Sequence, residues 1–164
     1  MIQETREIAR HKAAIVRNAL SRPVRYALEA GLFKEGDSFF DYGCGHGLDV
    51  RLITEKGFPS HGWDPHYFPD QPQQPADVVN LGYVINVIES ESERRAALQK
   101  AWSLARRVLI VAAQVLLGEV GKGKLAYGDG VVTSRNTFQK YFEPYELKNY
   151  IDSVLGVDAA PAGF

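Results

Sequence analysis

Residues 38–42, Ser-Phe-Phe-Asp-Tyr, read as a buried strand, and Gly43-Cys44-Gly45-His46-Gly47 breaks it at once. Leu48 then opens a helical pattern that runs over residues 48–56 and stops at Gly57. Three glycines in five positions let the backbone reverse sharply and approach a ligand closely, and the helix start behind them offers unpaired N–H groups. Strand, glycine turn and helix in that order open a βαβ unit, so this stretch constrains the fold more than any other. The remaining chain keeps the alternation. Residues 60–64, 76–84 and 107–116 read as strands, the last two apolar and β-branched enough to be buried on both faces. A helix over 90–106 opens on a Ser90/Glu93 capping box, with Leu98, Ala101, Trp102 and Ala105 as its apolar face, and another follows over 143–154 with Pro144 at its start. The expected class is α/β, with a parallel sheet.

Both flanks are less regular. Residues 4–20 carry apolar residues at helical spacing, and Ser21-Arg22-Pro23 restarts the chain into a helix closed by Gly31, so 1–31 is read as an N-terminal helical extension. Gly128-Asp129-Gly130 between two β-branched and aromatic runs predicts a hairpin over 124–133. Residues 157–164 read as the start of a last strand. With 164 residues, 45% hydrophobic and 24% charged, the expectation is a single domain spanning 1–164.

Charge and cysteine content narrow the partners. A formal charge of −1 excludes a polycationic mode of nucleic-acid binding, though not a local basic patch. The single cysteine, Cys44, excludes a disulfide scaffold and a cysteine zinc cluster, so no metal site is expected. No apolar run approaches the about 18 residues that cross a membrane, and residues 1–6 lack a signal peptide's apolar core. A cytoplasmic location is expected.

Two acids give the glycine turn its chemistry. Asp41 precedes the first glycine, and Asp64 closes the next strand, 21 positions after Gly43. A carboxylate there can accept both hydroxyls of a ribose. A nicotinamide site would call for G-x-G-x-x-G instead, and a P-loop is excluded because no Gly-Lys-Ser/Thr follows. The pattern resembles motifs I and II of the class I S-adenosylmethionine-dependent methyltransferases. That resemblance implies a Rossmann-like fold and S-adenosylmethionine as cofactor, with S-adenosylhomocysteine as product. Asp41, Gly43, Cys44, Gly45, Gly47, Asp64, Pro65, Asn80 and Leu81 would line the cofactor. The next strand ends in Asn80-Leu81-Gly82-Tyr83, where the amino-methyltransferases of DNA carry an Asp/Asn/Ser-Pro-Pro-Tyr/Phe motif. Asn80 and Tyr83 match its outer positions and are the expected catalytic pair, Asn80 holding an amine and Tyr83 stacking on a base. The same two residues would also suit a buried strand end. Cys44 lies inside the cofactor turn and is read as small filler, not as a nucleophile.

Only 13 positions separate Asp64 from Asp77, and residues 66–75 hold three prolines directly after Pro65. A helix, a third strand and another helix do not fit there. The third strand of the usual sheet is therefore expected to be missing, with Pro65, His66, Tyr67 and Phe68 replacing the lost wall of the adenine pocket. The C-terminal strand pair is expected to be truncated.

Longer runs carry a narrower resemblance. Arg10 to Ile15, Leu20 to Arg25, Phe40 to Gly45, Gly62 to Pro65, Asn80 to Glu89 and Thr137 to Lys140 occur in that order. Together they resemble the methyltransferases associated with bacterial DNA phosphorothioation gene clusters. This implies a bacterial setting and a DNA-modification context, with a nucleic-acid base or nucleoside as acceptor. A non-catalytic S-adenosylmethionine-binding module and a small-molecule methyltransferase are the alternatives. Arg6, Arg10 and Arg17, with the basic and aromatic residues of segment 122–150, are the expected nucleic-acid contacts. An open sheet edge would also allow a dimer.

Overall fold

A computed structural model describes residues 7–116 and 124–163. Arg6, Lys122 and Phe164, named above as expected contacts or strand residues, lie outside the described residues. Strands β1 (Phe39–Tyr42), β2 (Ser60–Trp63), β3 (Ala76–Gly82) and β4 (Ala105–Ala112) form a parallel sheet in the order β2-β1-β3-β4. Helices α1 (Arg22–Glu29), α2 (Leu48–Glu55), α3 (Glu91–Leu104) and α4 (Pro144–Leu155) cover it. A second, antiparallel sheet joins β5 (Leu125–Tyr127), β6 (Gly130–Val132) and β7 (Phe138–Gln139).

The period of two along each strand sorts side chains between two layers. Phe40, Tyr42, Val79, Leu81, Leu109 and Val111 pack with α3 and α4. Phe39, Val78, Val108 and Ile110 pack on the other face with Val24 of α1 and Ile53 of α2. By the same parity Asp41 and Asn80, paired in register, stand on the α1/α2 face. Phe39 and Phe40 are fully buried, so truncating either to alanine would cost about 3–5 kcal/mol.

The third strand is absent as expected: residues 64–75 form none, and β2 is an edge. The helix expected over 4–20 is not formed among the described residues, 7–20. The described part holds one 3-10 turn, Arg10–Ala13, and none of residues 7–20 is buried. Helical stability comes mainly from packing an apolar face, and of this segment only Leu20, at its end, packs against the core. Its Ile15 and Val16 are 72% and 80% exposed. It is held as a strap by polar anchors instead. Arg10 pairs with Glu89 and Glu93 at 2.8 and 2.6 Å, and the Ala9 N–H donates to the Asn136 carbonyl at 2.9 Å.

The capping box of α3 is half made. Ser90 Oγ accepts from the Glu93 N–H at 3.3 Å, while the Glu93 carboxylate is spent on Arg10. Trp102 is 45% exposed and lies off the buried stripe of Ala97, Leu98, Ala101 and Leu104; Ala105 begins β4. Residues 157–163 are not a strand. The Ala159 N–H donates to Asp152 at 2.7 Å, and Val157 and Ala159 fold back against the core. The expected hairpin is present with Gly128-Asp129 as its turn, and β7 adds a strand that two residues' worth of pattern could not announce. Buried Arg94 of α3 ties this sheet down, donating to Asp129 at 2.7 and 3.1 Å and to the Ile88 carbonyl. No helix among the described residues is long and apolar enough to cross a membrane.

Candidate cofactor and substrate site

In an open parallel sheet, ligands bind beyond the carboxyl ends of the strands where the strand order reverses. Here the chain runs from β1 outward to β2, then returns to β3 and goes outward to β4, so the reversal lies between β1 and β3. A cavity of about 1180 Å³ opens there, bounded by the glycine turn, the ends of β2 and β3, the strap, and the loop before β7. This exceeds the usual volume of a pocket for one small ligand, about 300–1,000 Å³.

The turn itself adopts backbone angles open chiefly to glycine. Gly43, Gly45 and Gly47 have φ of 81°, 53° and 83°. At Gly43 a Cβ would also lie 2.5 Å from Val84 Cγ2. Most of the turn's N–H groups are already used. Those of Gly43 and Cys44 donate to the Trp63 carbonyl at 2.8 and 3.0 Å, that of Gly47 to the Cys44 carbonyl, and that of Gly45 to Asp64 Oδ2 at 3.0 Å. A pyrophosphate cradle needs such groups free.

Three acids, Asp41, Asp49 and Asp64, lie around the turn with one cation, Arg17, among them. Asp41 is 3% exposed and accepts from Asn80 Nδ2 at 2.9 Å. Burial, aided by the negative charge of Asp49, pushes its carboxyl up to about 7, against the Asn80 hydrogen bond and the Arg17 charge. Asp49, at the N-terminal end of α2, is 1% exposed. It accepts from the Ser21 N–H at 2.8 Å and pairs loosely with Arg17 at 3.3 Å. Burial beside Asp41 and Asp64 pushes the Cys44 thiol up to about 12, so it stays protonated and acts as filler, as its position in the turn implied.

Asp64 carries more than its expected role. Oδ2 accepts from Gly45, and Oδ1 accepts from the N–H groups of His66 and Tyr67 at 2.9 and 3.0 Å. A carboxylate has about four lone-pair sites, so one remains, on Oδ2. It can take one ribose hydroxyl, not the two first assigned to it.

The cavity wall brings together Asp41, Gly43, Cys44, Gly45, Asp64, Pro65, Asn80 and Tyr83. Leu81 is not on it: strand parity turns its side chain into the α3/α4 core, where it is fully buried. Gly47 is screened by the Phe68 ring, whose nearest carbon would lie 3.4 Å from a Cβ there. Phe68 therefore covers the turn from outside and does not face the cavity, whereas His66 and Tyr67 do. Strap and loop interlock at that wall. His11 stacks on His66 with ring centres 4.1 Å apart, and Tyr67 Oη donates to the His11 carbonyl at 3.2 Å.

Tyr83 is 40% exposed with φ of 58°, a left-handed conformation that costs a bulky residue of order 1–3 kcal/mol. Its N–H is fixed to the Ala112 carbonyl at 2.8 Å. Arg10 and Arg17, expected to face phosphates, pair with Glu89, Glu93 and Asp49, and Arg10 stays exposed while doing so. Asn86 and Gln139 line the cavity without having been marked as site residues. They lie 53 positions apart, and no local spacing joins them.

No family model matches the sequence, and no curated protein matches it. Among solved structures, the chain is similar to the CcbJ methyltransferase from Streptomyces caelestis at 14% identity, over 80% of this chain and 77% of that one, with a TM-score of 0.54. It is similar to the 1,6-didemethyltoxoflavin-N1-methyltransferase of Burkholderia thailandensis at 12% identity, over 90% and 68%, with a TM-score of 0.59. That structure holds 1,6-didemethyltoxoflavin and S-adenosylhomocysteine. At these identities the likeness is one of fold: the chain has the Rossmann-like α/β fold of the class I methyltransferases, with a reduced sheet.

Proposed function

We propose that the protein is an S-adenosylmethionine-dependent methyltransferase acting on an acceptor of nucleoside size. One observation carries the cofactor reading: a glycine turn whose N–H groups are largely spent internally, ringed by Asp41, Asp49 and Asp64. Such a site repels a pyrophosphate and attracts a cation. S-adenosylmethionine has no phosphate and carries a sulfonium and an ammonium against one carboxylate, a net positive charge. Gly43, Gly45 and Asp41 would hold its amino-acid end, and Asp64 one ribose hydroxyl. When bound, it supplies a methyl group already activated on sulfur. The chain's own part is then alignment and exclusion of water. The strap roofs the cavity, and Tyr83 offers a ring for stacking.

The acceptor is inferred from enclosure. The volume leaves space beyond one cofactor, and the strap lines the cavity with Arg10 and Arg17 already paired to acids. That geometry favours a base or nucleoside, or a small molecule of that size, over an intact duplex. Calorimetry with S-adenosylmethionine and with NAD tests the cofactor; heat with NAD alone would refute it. Radiolabelled methyl transfer should go to nucleosides or small heterocycles, and transfer to duplex DNA alone would overturn the enclosed-acceptor reading.

A further inference from the structure

Two of the sequence runs singled out above, Asn80 to Glu89 and Thr137 to Lys140, meet at the cavity wall. The Lys140 N–H donates to the Asn86 carbonyl at 2.8 Å, which clamps the end of β7 onto the loop after β3. Gln139 Nε2 donates to the Lys140 carbonyl at 2.7 Å. That bond fixes which way the Gln139 amide faces, leaving Oε1 toward Asn86. Asn86 Nδ2 donates to Oε1 at 3.4 Å, so the Asn86 amide is oriented in turn. Its Oδ1 is left without a partner among the described residues, on a side chain only 3% exposed. A buried acceptor of this kind costs stability unless a donor reaches it. Three residues before it stands Tyr83, strained and with its side chain partly exposed on the same cavity.

We propose that Asn86 reads the methyl acceptor: its Oδ1 accepts an N–H from an amine-bearing heteroaromatic ring stacked on Tyr83, and Gln139 is the positioning residue that keeps the oxygen presented. The inference rests on the cofactor reading and names the substrate class for the same cavity. The relay makes it directional. An oriented acceptor selects donors, and a ring bearing only acceptors at that edge would leave Oδ1 unpaired.

The test uses the full chain saturated with S-adenosylhomocysteine, so that the cofactor's own adenosine site is filled. Adenosine and purine riboside are the probes, since they differ by one exocyclic amino group. Titration calorimetry is expected to show adenosine binding at least about ten-fold more tightly. Asn86→Leu should abolish the difference with S-adenosylhomocysteine affinity retained, while Asn86→Asp, which keeps acceptor oxygens, should preserve a preference. Gln139→Leu should narrow the preference without removing purine riboside binding, a pattern that loss of fold would not give. Equal affinity for the two probes in the wild type, or a preference that survives Asn86→Leu, would overturn the inference while leaving the cofactor reading intact. Failure of S-adenosylhomocysteine to bind at all would overturn both.

Discussion

Asp41→Asn should make the protein more stable at alkaline pH and remove most of a pH dependence centred on this site. The carboxyl ordinarily titrates near 3.8, and in the fold burial, with Asp49 nearby, moves it to about 7. Below about 4 both the folded and the unfolded chain hold the proton, and the shift has no effect on stability. Between 4 and 7 the unfolded chain releases the proton and the folded chain keeps it, so stability falls by up to about 1.4 kcal/mol per pH unit. Above 7 the loss is complete, about 4 kcal/mol as an upper figure. Asparagine has the shape of the neutral acid and keeps an oxygen for the Asn80 N–H, bonded at 2.9 Å in the wild type. Urea unfolding at pH 4.5 should therefore show little difference between the two proteins, and at pH 8 the variant should be more stable by about 2–4 kcal/mol. The same substitution should remove the pH dependence of S-adenosylmethionine affinity. In the wild type that affinity should rise toward pH 7, because a cation favours the ionised acid, by at most about ten-fold per pH unit. A variant no more stable than wild type at pH 8, or an unchanged slope between pH 5 and 7, would refute the assignment.

Gly43→Ala places a Cβ at φ 81° and 2.5 Å from Val84 Cγ2, and should cost at least about 2 kcal/mol in urea unfolding; a loss under 0.5 kcal/mol would show that the turn relaxes freely. Asp129→Ala leaves the Arg94 guanidinium buried without its carboxylate and should cost about 3 kcal/mol, against little effect for alanine at exposed Glu35. Cys44, with its thiol near 12, should resist iodoacetamide at pH 8 in the folded protein and react on unfolding, read as a mass shift; equal rates in both states would contradict its burial.

The sheet was legible because β1 and β3 are mostly apolar runs bounded by breakers, and the glycine turn fixed where one strand gives way to a helix. The missing third strand was legible from chain length, since residues 66–75 cannot hold it. The spacing of Ile8, Ile15 and Ala19, and of Ala9, Ala13, Val16 and Leu20, predicts a helix over 4–20, yet Ile8, Ile15 and Val16 line a cavity and only Leu20 reaches the core. Periodicity reports apolar spacing, not what covers it. Arg10 and Arg17 look alike in sequence to any solvated cation; only their three-dimensional partners, Glu89, Glu93 and Asp49, show that they hold the strap. Asn86 and Gln139 escaped because their significance is a bond between distant segments.

The short link after β2 and the altered role of Asp64 are one fact. With no third strand to lead into, the chain turns back at once, and the Asp64–Phe68 bridge closes that turn. The N–H groups of His66 and Tyr67 must find acceptors inside it, and Asp64 Oδ1 takes both, while Oδ2 pins Gly45. The reduction of the sheet therefore consumes lone pairs that a ribose would otherwise use, and on the proposed cofactor reading the adenosine end would be held by the cavity wall, where His11 stacks on His66 beside Tyr67. With one site left on Oδ2, only one ribose hydroxyl can be bonded. Of the 2′-deoxy and 3′-deoxy analogues of S-adenosylhomocysteine, one should bind about ten-fold more weakly than the parent and the other nearly as well. Calorimetry on the wild-type protein decides it. Equal losses for both analogues would mean that the loop releases Asp64 on binding, and that the strand was removed without cost to the ribose site.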